Sequence, residues 1–438
     1  MTTQVHLNPT ELSILSISRD KTWLFSSAIL RLLHRESLKS NQLSDIQDAS
    51  SEEDDDEDYN EDQEESGEMI SSISSLNTLQ RYLPDYEDRT HKIDRHVDNS
   101  SKLRSSEEAS SESGGETDAV RRSIDKSEEH EAEEENMFFH IAYSPIECTV
   151  ICSKVMLARL FSEPLRICNQ LNYDDVKLID ETFLNLQVDS DGTIDNSSKI
   201  LELTEPLSKN NISLFFLSSH FCDNVLIPYN FKEIVIEILS KNGFEFSDIS
   251  NSYISSSKPH SIIEHSDNTS SEIEKNAFKA FENAGIKPMI NTKSKMLLTG
   301  ARTGETLYAI TKTAEIIAAD LLPEYFSITR TSASEVSLIL PSSSKKRSIM
   351  GFSSRRIIGS TKDVIIPITI DLYKLPLDLT GIVAGVASRI TNGIKFTNYK
   401  DNYSFEMIYL SMARSAIIMI PKDNLVAVSH ILSGESPS

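Results

Sequence analysis

The stretch PLDLTGIVAGVASRI, residues 376–390, is the first arrangement in the chain with chemical potential. Asp378, Leu379 and Thr380 lead into Gly381, and a compact apolar helix is expected to follow from Ile382. The N-terminus of a helix presents N–H groups without intrahelical partners, which suit a carboxylate or a phosphate. A second arrangement is His220, Cys222 and Asp223 in SSHFCDNV. A thiol nucleophile needs a nearby base that is itself oriented by a third group. No second histidine or amide stands at a convincing spacing, so this stretch is expected to be a loop between two strands. Cys148, Cys152, Cys168 and Cys222 show no CxxC spacing, and neither a metal site nor a disulfide framework is expected. The chain also lacks a Gly-rich phosphate loop, a zinc spacing and an aromatic–basic platform for nucleic acid. The expectation is a protein that is not an enzyme and has no cofactor, no metal and no nucleic-acid partner.

Those residues have to be positioned by the elements around them. ELSILSIS (11–18) reads as a strand, and the next segment places Phe25, Ile29, Leu32 and Leu33 on one helical face. MFFHIAYSP and ECTVICS read as two strands, and TFLNLQVDSD as another. The helix NSSKILELTEPLSKN follows, then the strands ISLFFLSSH and DNVLIPYN and a helix ending at Gly243. The second half repeats this grammar. KMLLTGAR, YFSITRTS, EVSLILP, VIIPITIDL, FEMIYLSM and SAIIMIP are its strands, and helices are expected over 304–322, from Thr380, and over 423–432.

The 438 residues carry a formal charge of −24. Residues 41–136 hold 31 of the 67 acidic residues and only 9 of the 43 basic ones, so the acidity belongs to one segment. That segment has too few apolar residues to offset chain entropy and is expected to be disordered. Ser50, Ser51, Ser106 and Ser127 precede acidic runs there and are candidate phosphorylation sites. The expected divisions are 1–40, the acidic insert 41–136, 137–246, a Ser-rich linker 247–286, and 287–438. SSSKKRSIMGFSSRR, residues 342–356, reads as a basic loop that could meet the acidic segment, a phosphate or an acidic partner, or simply be solvated. The N-terminus, without a basic start and a long apolar core, is not expected to be a signal peptide, and no membrane span is expected. A cytoplasmic protein is expected, with the nucleus as an alternative.

Strands alternating with amphipathic helices, two strands after each first helix, predict an α+β fold. Its form would be tandem ferredoxin-like domains of the βαββαβ type, about four units in two pairs. One sheet face would then be free to pair with another sheet. TGIVAGVA…IYLS…IIMIPKDNLVAVSHIL resembles an ACT domain, and NNISLFFLSSHFCDNVLIPYNFKEIVIEIL resembles its second half. With LSILSISRDKTWLFSSAILRLL and LLTGARTGETLYAITKTAEIIAADLL, the order of units resembles the CASTOR family of cytosolic arginine sensors over residues 10–38, 137–245 and 293–432.

The resemblance implies a non-catalytic amino-acid-binding nutrient sensor acting on the TOR kinase complex (TORC1). It implies a GATOR2-like or SEA-complex-type partner, and a homodimer is a further expectation. The alternative is an ACT-fold adaptor or scaffold with a vestigial pocket. The resemblance places ligand contacts at Ser213, Leu214, Gly381 and Ile382, beside Asp378, Leu379 and Thr380. Where the family carries acids, this chain has Leu379 and Ala416. A buried guanidinium would lack carboxylate partners there. The expected ligand is therefore an amino acid other than arginine, neutral or apolar.

Overall fold

The computed structural model of the chain describes residues 3–47, 138–189, 196–247, 267–397 and 406–433. The acidic segment beyond 47, with its candidate phosphorylation sites, and residues 248–266 of the expected linker lie outside the described residues. The strands are β1 (Thr3–Ser18), β2 (Phe139–Tyr143), β3 (Glu147–Ser153), β4 (Val176–Leu178), β5 (Phe183–Asp189), β6 (Phe215–Ser218), β7 (Cys222–Pro228) and β8 (Phe244–Ser247). They continue with β9 (Met289–Ile290), β10 (Met296–Ala301), β11 (Phe326–Arg330), β12 (Val336–Pro341), β13 (Ile357–Ile358), β14 (Ile365–Asp371), β15 (Ile408–Ser411) and β16 (Ser415–Pro421). The helices are α1 (Thr22–Gln47), α2 (Lys154–Gln170), α3 (Asn196–Lys209), α4 (Lys232–Lys241), α5 (Asp267–Ala284), α6 (Thr306–Ala318), α7 (Ser344–Ile349), α8 (Ile382–Thr397) and α9 (Leu425–Ser433).

The helical faces follow from spacing. In α1, Phe25, Ala28, Ile29, Leu32 and Leu33 recur at intervals of three and one and are all buried. Helix α2 is a finding beyond the sequence reading. The Ser153 side chain caps it by accepting from the Met156 N–H, Met156, Leu157, Leu160 and Phe161 pack inward, and Pro164 lies within the helix. Helix α1 runs past residue 40 to Gln47, and α5 occupies part of the stretch read as a linker.

All strands join one sheet in the order β13–β10–β12–β11–β2–β3–β1–β5–β7–β6–β15–β16–β14–β9, with β4 and β8 pairing β1 off that path. A pairing of β10 with β14, Met296 opposite Ile365, closes twelve of them into a barrel. Successive side chains on a strand point to opposite faces. One set, including Leu12, Ile14, Ile151, Leu217, Ile339 and Ile417, meets in the barrel interior. The other set lies under helices. Helices α1, α2 and α6 cover one half through Phe25, Ile29, Phe161 and Ile310, and α3, α4, α5, α8 and α9 cover the other through Leu203, Val235, Phe281, Val386 and Val428. Strands β2, β12 and β16 are therefore apolar runs buried on both faces.

This architecture corrects the expected fold. The chain is not a series of tandem ferredoxin-like ACT units in two pairs, and among the described residues no sheet face is left free to recruit another sheet. Partners come from distant parts of the sequence: β2 pairs with β11 over five residue pairs, and β6 pairs with β15. The open edges that each βαββ run would leave are liabilities for uncontrolled pairing, and here they satisfy one another within the chain. The resemblance to the CASTOR family requires separate tandem ACT units, so it is overturned with the fold.

The β6–β7 turn carries the SSHFCDNV stretch across to β10. The His220 N–H donates to Ser337 Oγ at 2.8 Å, and a Cβ on Gly300 would lie 2.6 Å from Phe221 Cζ and 2.7 Å from His220 Cδ2. Only a residue without a side chain lets the turn sit there. Gly300→Ala is expected to destabilise the chain by about 1–3 kcal/mol through overpacking. Denaturant unfolding measures it, and an unchanged midpoint would show that the turn does not rest on β10.

Candidate functional site

The barrel is closed at two narrow seams, and the candidate site lies at the one between β6 and β15. A single residue pair, Leu217 with Leu410, joins these strands in register. Serine side chains supply other bonds across the seam. Ser411 Oγ accepts from the Phe216 N–H at 2.9 Å, and Ser218 Oγ accepts from the Tyr409 N–H at 3.2 Å. Beside this seam is a cavity of about 70 Å³. That is roughly five times the space that one water requires.

Five segments wall it. The approach to β6 gives Ser213, Leu214 and Phe215, and β15 gives Tyr409 and Ser411. The loop after β14 contributes Leu372, Leu375 and Leu379, and the first turn of α8 contributes Ile382 and Val383. The β15–β16 hairpin adds Ala413, Ser415 and Ala416. Among the described residues, no charged side chain lines the cavity.

Of the residues expected from sequence, Ser213, Leu214, Leu379 and Ile382 meet in this wall. Asp378 is exposed on the loop, and Asp378, Thr380 and Gly381 are not among the lining residues. Gly381 has φ +81, a conformation that favours glycine, and its carbonyl accepts the first α8 hydrogen bond from the Gly385 N–H at 2.8 Å. A Cβ on Gly381 would meet Ile273 Cγ2 of α5 at 3.1 Å. This glycine serves the helix start and the packing of α5. Leu379 and Ala416, the two departures from the acids of the resembled family, both face the cavity.

Tyr409 was not identified from the sequence. It is fully buried, its ring stands edge-on to Phe216 with centroids 6.4 Å apart, and its hydroxyl has no hydrogen-bond partner among the described residues. Burial pushes its pKa well up, so it remains a neutral phenol. An unsatisfied buried hydroxyl costs about 1–3 kcal/mol. The signal was available: a lone phenol in the apolar strand IYLS.

Glu147, also missed, is an acid in the otherwise uncharged strand ECTVICS and is 2% exposed. Its Oε2 accepts from Ser16 Oγ at 2.7 Å and Thr149 Oγ1 at 3.3 Å, and its Oε1 accepts from Ser415 Oγ at 2.7 Å and the Arg414 N–H at 2.9 Å. Burial raises the pKa of this carboxyl, and the four donors oppose that rise.

The other candidate chemistry disperses. All four cysteines are buried free thiols, and burial pushes Cys148 and Cys222 up to about 12, away from thiolate reactivity. Asp223 is raised to about 6 by burial, opposed by Ser218 and Lys199. Among the described residues no group of three His, Cys, Asp or Glu side chains could hold a metal ion, and no helix is long and apolar enough to cross a membrane.

Comparison with known proteins gives one family match. The ACT domain profile matches residues 178–241, well under half of the chain. Those residues run from β4 to α4 and include three consecutive strands of the barrel path or its margin, so they form part of the one continuous sheet. No curated protein matches. Among solved structures, protein Atu0741 from Agobacterium tumefaciens is similar at 14% identity and a TM-score of 0.20, over 27% of this chain and 91% of that one. Aspartate kinase from Synechocystis is similar at 10% identity and a TM-score of 0.25, over 74% of this chain and 53% of that one. The chain thus spans about half the length of that kinase.

These findings correct the expected function as well. A discrete ACT-domain amino-acid sensor of nutrients acting on TORC1, and its alternative as an ACT-fold adaptor with a vestigial pocket, both need ACT units that stand apart. The barrel contains none. The GATOR2-like or SEA-complex-type partner was implied by that resemblance alone.

Proposed function

We propose that the chain binds a compact, uncharged small molecule in the cavity at the β6–β15 seam, and that it acts by binding and not by catalysis. The ligand has a branched or compact apolar body and one hydrogen-bond acceptor. The unpartnered Tyr409 hydroxyl carries this reading, because an acceptor placed beside it would relieve the cost of burying it. The apolar wall of Leu214, Leu379, Ile382 and Ala416 supports the uncharged body, since a charge brought there would lose its hydration without a counter-ion. Four free thiols favour a reducing compartment, the cytoplasm, as its place of work.

Isobutyramide, isobutyrate and isobutylamine share a compact branched body and differ in the charge of the head. Calorimetry is expected to show roughly millimolar affinity for isobutyramide, as suits so few atoms, and at least tenfold weaker binding of the other two. Tyr409→Phe should weaken isobutyramide by about tenfold, the loss of one buried hydrogen bond. Equal binding of all three compounds, or an indifferent Tyr409→Phe, contradicts the proposal.

A further inference from the structure

We infer that Glu147 is the positioning residue of this cavity: from β3 it anchors the β15–β16 hairpin whose residues form one wall. The inference rests on the binding reading of the cavity. Ser415, which lines the cavity, donates to Glu147 Oε1, and the neighbouring Arg414 N–H donates to the same oxygen. Ala413, also in the lining, donates its N–H to Thr149 Oγ1 at 3.0 Å, and Thr149 in turn donates to Glu147 Oε2. Ser16 of β1 holds that second oxygen from the other side. The carboxylate thus ties β1 and β3 to three successive residues of a hairpin far away in sequence.

The hairpin's own closure is a bond from the Met412 N–H to the Ser415 carbonyl at 2.8 Å. The amides of Ala413 and Arg414 are turned to the Glu147 cluster. From the same turn the Arg414 carbonyl accepts from the Leu372 N–H at 2.9 Å, and Arg414 Nη2 donates to the Tyr373 carbonyl. Leu372 is itself a lining residue, so the anchor reaches two walls of the cavity at once. Glu147 touches no lining space itself and acts through these groups. Four donors on one buried carboxylate give a rigid reference point, because each fixes the direction of an acceptor lone pair.

The test compares the full chain with Glu147→Gln, Thr149→Val and Thr149→Ser, reading amide hydrogen exchange and isobutyramide affinity. Glu147→Gln is expected to speed exchange at Ala413 and Arg414 at least tenfold, to leave the β14–β16 ladder amides unchanged, and to weaken isobutyramide at least tenfold. Thr149→Val should reproduce the effect at Ala413, and Thr149→Ser, which keeps the hydroxyl, should restore it. Should Glu147→Gln fail to fold, the Thr149 pair decides the matter alone. The inference is overturned if exchange rises equally throughout the barrel, if the hairpin amides keep their wild-type rates, or if affinity survives a loosened hairpin. A wild-type chain that ignores isobutyramide, with the hairpin anchored as described, overturns the binding reading of the cavity and the positioning role with it.

Discussion

His140→Gln is expected to remove about 3 kcal/mol of acid destabilisation at pH 4. His140 points into the barrel from β2, is fully buried, and meets Thr329 Oγ1 through Nδ1 at 2.8 Å, while its Nε2 has no partner among the described residues. Burial holds its pKa down at about 3 against an ordinary value of 6.5. The folded state therefore binds this proton less readily than the unfolded state. The stabilising contribution is fully present above pH 6.5 and is lost as the pH falls from there towards 3. Glutamine keeps a polar group for Thr329 and cannot titrate. Denaturant unfolding of both proteins at pH 7.5, 5 and 4 should give stabilities whose difference changes steadily in favour of the variant. Parallel profiles would show that His140 is not buried in its neutral form.

Arg347→Glu is expected to destabilise the chain by about 3–5 kcal/mol, whereas Lys345→Glu and Lys346→Glu should each change stability by less than about 0.5 kcal/mol. The sequence presents the three as one basic surface. In the structure the stretch forms the short helix α7, and Lys345 and Lys346 are exposed while Arg347 is 3% exposed. Arg347 Nη1 donates to the Pro341 carbonyl at 2.9 Å and the Ser342 carbonyl at 2.6 Å, which ties α7 to the end of β12. A carboxylate in its place would lose both bonds and face two carbonyl oxygens in a buried setting. Equal, small effects at all three positions would restore the reading of a solvated basic loop.

Arg347 illustrates what sequence pattern can deliver. Periodicity located most strands and most helices, because alternation and the three–four spacing are local properties. Helix α2 escaped, although Met156, Leu157, Leu160 and Phe161 carry the three–four spacing. The closure of the barrel was not legible. Strands such as β2, β12 and β16 are apolar and buried on both faces, and nothing in residues 215–218 names β15 as their neighbour. The wall of the cavity was half legible. Leu214, Leu379, Ile382 and Ser213 came from a resemblance whose fold did not hold, whereas Tyr409 and Glu147 depend on pairings between distant strands that no local pattern encodes.

The most direct test of the central claim is a crystal of the chain soaked with isobutyramide. The account predicts the molecule in the cavity at the β6–β15 seam, its carbonyl oxygen within hydrogen-bonding distance of Tyr409 Oη and its methyl groups against Leu379, Ile382 and Ala416. An unoccupied seam under saturating isobutyramide, or the molecule seated there with its carbonyl turned away from Tyr409, would contradict it.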